Sequence, residues 1–223
     1  ALIGPDDEVI MPTPCWVSYV EMVKIAQGKS VLVKTTMENN FCLTAEQLEA
    51  AITPATKLLL LCSPNNPTGS VYTLENLKAI VEVLKKYPQI VVLADEIYQH
   101  ILYTGKHETM AQFPEIEDRL IIINGVSKAY AMTGYRIGWL ACHDKDLITA
   151  VKRLQGQTIS CATTIAQKAA EAAYTGDQSC VEEMRQAFER RRDLIVRLAK
   201  DIPGMKVLEP QGAFYLFPDV SAF

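Results

Sequence analysis

An α/β layered domain on a parallel sheet is the fold class this sequence predicts, and three observations predict it. Short β-rich runs alternate with longer amphipathic stretches along most of the chain. The runs Leu58-Leu59-Leu60-Leu61 and Ile90-Val91-Val92-Leu93 are apolar at every position, as strands covered on both faces are. Polar clusters follow the apolar runs at once, where ligands collect in open α/β sheets. Composition agrees: of 223 residues 49% are apolar and 22% charged, with mean hydropathy +0.07. That profile excludes a disordered tail, a collagen-like fibre and a coiled coil.

In chain order, strands are expected at 9–11, 30–34, 57–62, 90–94, 120–124 and 136–142. Helices are expected between them at 17–27, 44–51 and 74–86. The stretch Thr44-Ala45-Glu46-Gln47 opens the second helix with a capping box, an N-cap hydroxyl answered three residues later by Gln. From Asp144 the chain turns mostly helical. Val181, Met184, Phe188, Ile195 and Leu198 recur at helical spacing and predict one long core-packing helix over 178–200. Ile202-Pro203-Gly204 ends that helix, and a strand is expected at 213–217. The expected division is a large domain over 1–176, then an interdomain helix and the beginning of a small domain over 177–223.

Charge and cysteine usage narrow the function classes. Twenty-two basic against 26 acidic residues leave a net charge of −4, which argues against a nucleic-acid or anionic-membrane partner. The longest apolar runs are five residues, against the ~20 that span a bilayer. The six cysteines (Cys15, Cys42, Cys62, Cys142, Cys161, Cys180) form no CxxC pair, and the three histidines form no ligand motif, so no metal site is expected. This usage reads as a reducing compartment, the cytoplasm.

Three clusters carry the chemistry. Ser63-Pro64-Asn65-Asn66-Pro67-Thr68-Gly69 follows the 57–62 run; alone it reads as a turn, yet its two prolines hold Asn66 rigidly enough to aim at a ligand. Asp95-Glu96-Ile97-Tyr98 follows the 90–94 run. An acid there is often a helix cap, but Asp95 can also pair with a cationic ring nitrogen and Tyr98 can hydrogen-bond a nearby oxygen. Glu96 is then expected to face away, to solvent. In Ser127-Lys128-Ala129-Tyr130-Ala131-Met132-Thr133-Gly134-Tyr135-Arg136-Ile137-Gly138, a lysine follows a buried strand among small residues. A lone loop lysine is usually solvated surface, but a desolvated one becomes a nucleophile toward an aldehyde, and the trailing arginine suits a phosphate.

The order Asn66, Asp95, Tyr98, Lys128, Arg136 resembles the class I/II aminotransferases, the fold type I pyridoxal-phosphate enzymes. Asn-Pro-Thr-Gly, Asp-x-x-Tyr and Ser-Lys-x-x-x-x-x-Gly-x-Arg-x-Gly fall in the family's order along essentially the whole chain. Pro-Thr-Pro-Cys-Trp-Val-Ser-Tyr early and Gly-Ala-Phe-Tyr late resemble its bacterial aspartate aminotransferase branch. The resemblance implies a three-layer α/β/α domain with a mostly parallel mixed sheet, a pyridoxal 5′-phosphate cofactor and a homodimer. It implies transamination between an amino acid and a 2-oxo acid, with L-aspartate and 2-oxoglutarate as the expected pair. The alternatives are an aromatic or alanine aminotransferase, a carbon–sulfur β-lyase of the same fold, or a non-catalytic regulatory domain.

The resemblance also implies a role for each residue. Lys128 would hold the cofactor covalently and shuttle the proton at the substrate Cα. Asp95 would keep the ring nitrogen protonated. Tyr98 and Asn66 would hydrogen-bond the phenolic oxygen, with Asn66 also beside the substrate carboxylate. Trp16 would stack on the ring and border the substrate, and Arg136 would bind the phosphate. Several relatives carry a hydroxyl residue where this chain has Gly125, so that phosphate contact is either absent or supplied by Ser127. The chain is expected to be an internal portion of a longer enzyme, without the family's glycine-rich phosphate loop and carboxylate-binding arginine. These 223 residues alone are then expected to bind cofactor weakly and to be inactive.

Overall fold

The computed structural model describes residues 1–223. Its strands are β1 (Glu8–Thr13), β2 (Lys29–Lys34), β3 (Thr56–Cys62), β4 (Val91–Asp95), β5 (Leu120–Gly125) and β6 (Gly138–Cys142). Its helices are α1 (Ser18–Ile25), α2 (Ala45–Ala51), α3 (Leu74–Leu84), α4 (Lys145–Thr158), α5 (Thr164–Thr175) and α6 (Ser179–Lys200). One sheet contains every strand in the order β2-β1-β3-β4-β5-β6. It is parallel except for β6, which runs antiparallel to β5. The chain leaves β1 to build β2 on one side and returns to build β3 on the other, so the sheet switches direction at β1. A crevice forms at the carboxyl ends of the strands at such a point.

Alternation along each strand explains the unbroken apolar runs, because both faces are covered. Ile10, Leu59, Leu61, Val92 and Ala94 join one core with Leu48 of α2 and Leu77, Ile80 and Leu84 of α3. Val9, Met11, Leu58, Leu60 and Cys62 join the other with Tyr19 and Val23 of α1, Tyr98 and Tyr103. No helix is long and apolar enough to cross a membrane.

The capping box is present at α2: Gln47 N donates to Thr44 Oγ1 at 3.2 Å, and Thr44 N donates to Gln47 Oε1 at 3.1 Å. Thr73 and Asn76 repeat the arrangement at the start of α3. The last strand starts at Gly138 rather than 136, because Arg136 is left-handed at φ 55°.

The strand expected at 213–217 does not form. Gly212 makes a single bridge to Leu102, and Ala213 donates to the Ile101 carbonyl at 2.8 Å before turning out of the extended region at φ 56°. The segment is tied instead to the loop after β3, with Gln211 N and Gly212 N both donating to Gly69 O at 2.9 Å. Only glycine fits at this crossing: a Cβ on Gly212 would meet Pro64 Cγ at 2.6 Å, and one on Gly69 would meet Pro210 Cβ at 2.5 Å.

Candidate active site

The loops after β1, β3, β4 and β5 meet around one cavity of about 530 Å³. All seven expected site residues line it: Trp16, Asn66, Asp95, Tyr98, Ser127, Lys128 and Arg136. Trp16 sits between β1 and α1, with its ring edge-on to Tyr19 at 5.3 Å. Asn66 is half-buried in its proline-flanked loop. The neighbouring Asn65 stitches that loop, donating to Pro14 O at 3.1 Å and to Thr68 Oγ1 at 2.8 Å. Ser127 and Lys128 follow β5; Lys128 Nζ lies 5.8 Å from the ring centroids of both Tyr98 and Phe214. Arg136 is exposed, and its Nη1 donates to Thr133 O at 2.8 Å. Its left-handed backbone costs roughly 1 kcal/mol or more and persists because the 133–135 turn and β6 hold it from both sides.

Asp95 ends β4 with both carboxylate oxygens engaged. Tyr19 Oη donates to Oδ2 at 2.7 Å and Ile97 N donates to Oδ1 at 3.1 Å. Burial pushes the Asp95 carboxyl above its ordinary value, while these two donors and the Lys128 charge pull it back. Burial also raises the Tyr19 and Tyr98 phenols and pushes the Cys62 thiol up to about 12, so Cys62 is an inert core thiol.

Glu96 is a correction. It does face away from the cavity, but into protein rather than solvent: it is 5% exposed. Its Oε1 accepts from Thr109 Oγ1 at 2.7 Å and Met110 N at 3.2 Å, and its Oε2 lies 3.1 Å from His107 Nε2. Glu96 thus anchors the 107–110 segment, whose Met110 packs in the core shared with α2 and α3.

Eight further residues complete the cavity wall, and three of them bring phenol or amide groups that were not among the expected site residues. Tyr19 stands three residues after Trp16, close to one helical turn, and that spacing was the available signal. Asn124 reads as strand, yet it lines the cavity with a buried Nδ2 that has no partner. Tyr215 comes from the segment after α6 and places its hydroxyl 2.6 Å from that of Tyr98. Gly125 has a packing reason. A Cβ there would lie 2.7 Å from Ile137 O and 2.9 Å from Gly138 Cα, so in this chain a side chain at 125 would push β6 away from β5.

The family model for aminotransferase class I and II matches residues 1–223. The chain belongs to that family. Relatives of this class I and II aminotransferase chain include an aspartate aminotransferase of Geobacillus stearothermophilus, 50% identical over 98% of this chain and 56% of its own length. An aspartate/prephenate aminotransferase of Nitrosomonas europaea is 46% identical over 99% of this chain and 56% of its own. Among solved structures, the aspartate aminotransferase of Rhizobium meliloti superposes with TM-score 0.94 at 45% identity, covering 97% of this chain and 54% of that one. The fold is thus the one these aminotransferases share. The chain spans about half the length of the curated relatives it matches, between 46% and 56%.

The donor set fits a flat, charged heteroaromatic aldehyde bearing a phosphate. Asp95 offers a half-buried carboxylate for a ring N–H, Lys128 an amine for the aldehyde, and Tyr98 a hydroxyl for a ring oxygen. Ser127 and Arg136 offer donors for the phosphate, and Asn124 Nδ2 is a buried donor that lacks an acceptor.

Proposed function

We propose that this chain carries the catalytic core of a pyridoxal 5′-phosphate-dependent aminotransferase that moves the amino group of L-aspartate to 2-oxoglutarate, giving oxaloacetate and L-glutamate. The observation that carries the reading is the meeting of Lys128 and Asp95, from the ends of adjacent strands, in one cavity beside Tyr98. The names and identities of the relatives support aspartate as donor. When bound, pyridoxal 5′-phosphate supplies an electron sink for the pair released at the substrate Cα.

The protein's own groups do the rest. Lys128 would hold the aldehyde carbon and, freed by the substrate amine, would take and return the Cα proton. Asp95 would hold the proton on the ring nitrogen and so keep the ring electron-poor. Tyr98 and Asn66 would hydrogen-bond the phenolic oxygen, Trp16 would stack on the ring and border the substrate with Asn66, and Ser127 and Arg136 would hold the phosphate. Residues 1–176 would form the large domain and 177–223 the helix leading into a smaller one. The working form would be a cytoplasmic homodimer.

The test uses the protein expressed from its complete reading frame. Aspartate and 2-oxoglutarate should yield equimolar oxaloacetate and glutamate, and aspartate alone should convert the bound cofactor stoichiometrically. A preference for aromatic amino acids or alanine would keep the chemistry and change the substrate. Pyruvate and ammonia released from a β-substituted cysteine would make it a carbon–sulfur lyase. No cofactor-dependent turnover at all would favour a regulatory domain.

A further inference from the structure

We propose that Tyr215 is a positioning residue that acts on the cofactor through Tyr98, donating its hydroxyl proton to the Tyr98 oxygen so that Tyr98 donates to the cofactor's phenolic oxygen. The proposal rests on the cofactor reading above. The two hydroxyls are 2.6 Å apart, and either could be the donor. Each has one proton. Once an anionic oxygen accepts the Tyr98 proton, Tyr215 has to be the donor in the pair. A hydroxyl that already accepts a hydrogen bond donates more strongly, so the relay favours the ionised form of the oxygen facing Tyr98.

The packing holds this arrangement in place. Tyr98 is 3% exposed, and its ring meets that of Tyr215 edge-on at 5.7 Å. Tyr215 also meets Phe214 at 4.9 Å, which in turn packs on Phe188 of α6 at 5.1 Å. Two residues before Phe214, Gly212 N donates to Gly69 O at 2.9 Å, and Ala213 N donates to Ile101 O at 2.8 Å. Gly69 closes the Asn66 loop and Ile101 closes the turn that begins at Tyr98, where Ile101 N donates to Tyr98 O at 2.8 Å. Asn66, Tyr98 and Tyr215 therefore stand on one hydrogen-bonded unit, and the 210–215 segment sets where the Tyr215 hydroxyl lies.

The test is an absorption titration of the bound cofactor in the protein expressed from its complete reading frame and loaded with pyridoxal 5′-phosphate. A pH-dependent chromophore that Lys128→Ala abolishes establishes the underlying reading on its own; its survival in Lys128→Ala would remove that reading and this proposal with it. Tyr98→Phe should raise the apparent pKa of the chromophore. Tyr215→Phe, which keeps the ring, should raise it by a smaller step, roughly half a unit or about threefold in proton affinity. In the Tyr98→Phe background, Tyr215→Phe should add nothing. Tyr215→3-fluorotyrosine, a stronger donor of almost unchanged volume, should shift the pKa downward and keeps the test open if Tyr215→Phe folds poorly. No shift in the single variants, or the same shift with and without Tyr98, overturns the proposal while leaving the cofactor reading intact.

Discussion

Asp95 is held in place by a hydroxyl from α1 and a backbone N–H, and both hydrogen bonds serve its charged form. Burial works against that form and wins, because the carboxyl is raised above its ordinary value. An acid whose pKa is raised on folding contributes stability that is fully present below its unfolded value and is lost as pH rises through its folded value. Cofactor-free Asp95→Asn should therefore melt above wild type at neutral pH, with the gap closing as pH falls through the folded pKa; scanning calorimetry across pH reads this. The same variant loaded with cofactor should lose about 10²–10³ in kcat, the roughly 3–4 kcal/mol typical of one preorganised electrostatic partner. Near-normal turnover would reduce Asp95 to a cap. Tyr19→Phe removes one of the donors that hold the charged form, so the acid limb of kcat/KM should move to higher pH. Most of the site was legible because chemistry-bearing side chains follow apolar strands in a fixed order. Tyr19 and Tyr215 were not, since an aromatic residue on an amphipathic helix or in an apolar run reads as core. Glu96 was misread because its partners, Thr109 and Met110, come from a later segment that no local pattern places over it.

At the scale of elements, local signals were legible wherever the controlling contact is local. The Thr44 and Thr73 caps act within three residues, and both helices begin where those residues stand. Thr73→Ala should cost about 1 kcal/mol of unfolding free energy, readable by urea titration. The absence of a strand at 213–217 was not legible, because the left-handed turn at Ala213 follows from its ties to Ile101 and Gly69, more than a hundred residues earlier in the chain. The β5–β6 closure is a packing constraint of the same long-range kind. Gly125→Ser places a Cβ against the Ile137 carbonyl, and the backbone has to move to relieve it. Its expected cost is about 1–3 kcal/mol in the same titration, with weakened cofactor retention, because the strand ends carry Ser127 and Arg136. Unchanged stability would show that β6 shifts freely.

For the molecule as a whole, the two apolar cores lie on either side of the sheet, and β6, α4 and α5 carry a further set of apolar side chains outside both. Trp139 is 39% exposed, Leu154 53%, Ile165 80% and Tyr174 41%, with the Trp139 indole N–H donating to the Tyr174 hydroxyl at 2.8 Å. Scattered apolar residues are ordinary, but exposed ones on the elements joined by that hydrogen bond are where the proposed association of two copies is expected to fall. Sedimentation should find a dimer for the protein expressed from its complete reading frame, and Ile165→Glu should shift it toward monomer. The proposed function requires that the sheet deliver one lysine, Lys128, to a cofactor aldehyde. Borohydride reduction of the protein loaded with pyridoxal 5′-phosphate, followed by peptide mapping, tests it most directly. A single reduced cofactor adduct on Lys128 is expected; an adduct on another lysine with Lys128 unmodified would remove the proposed role of Lys128.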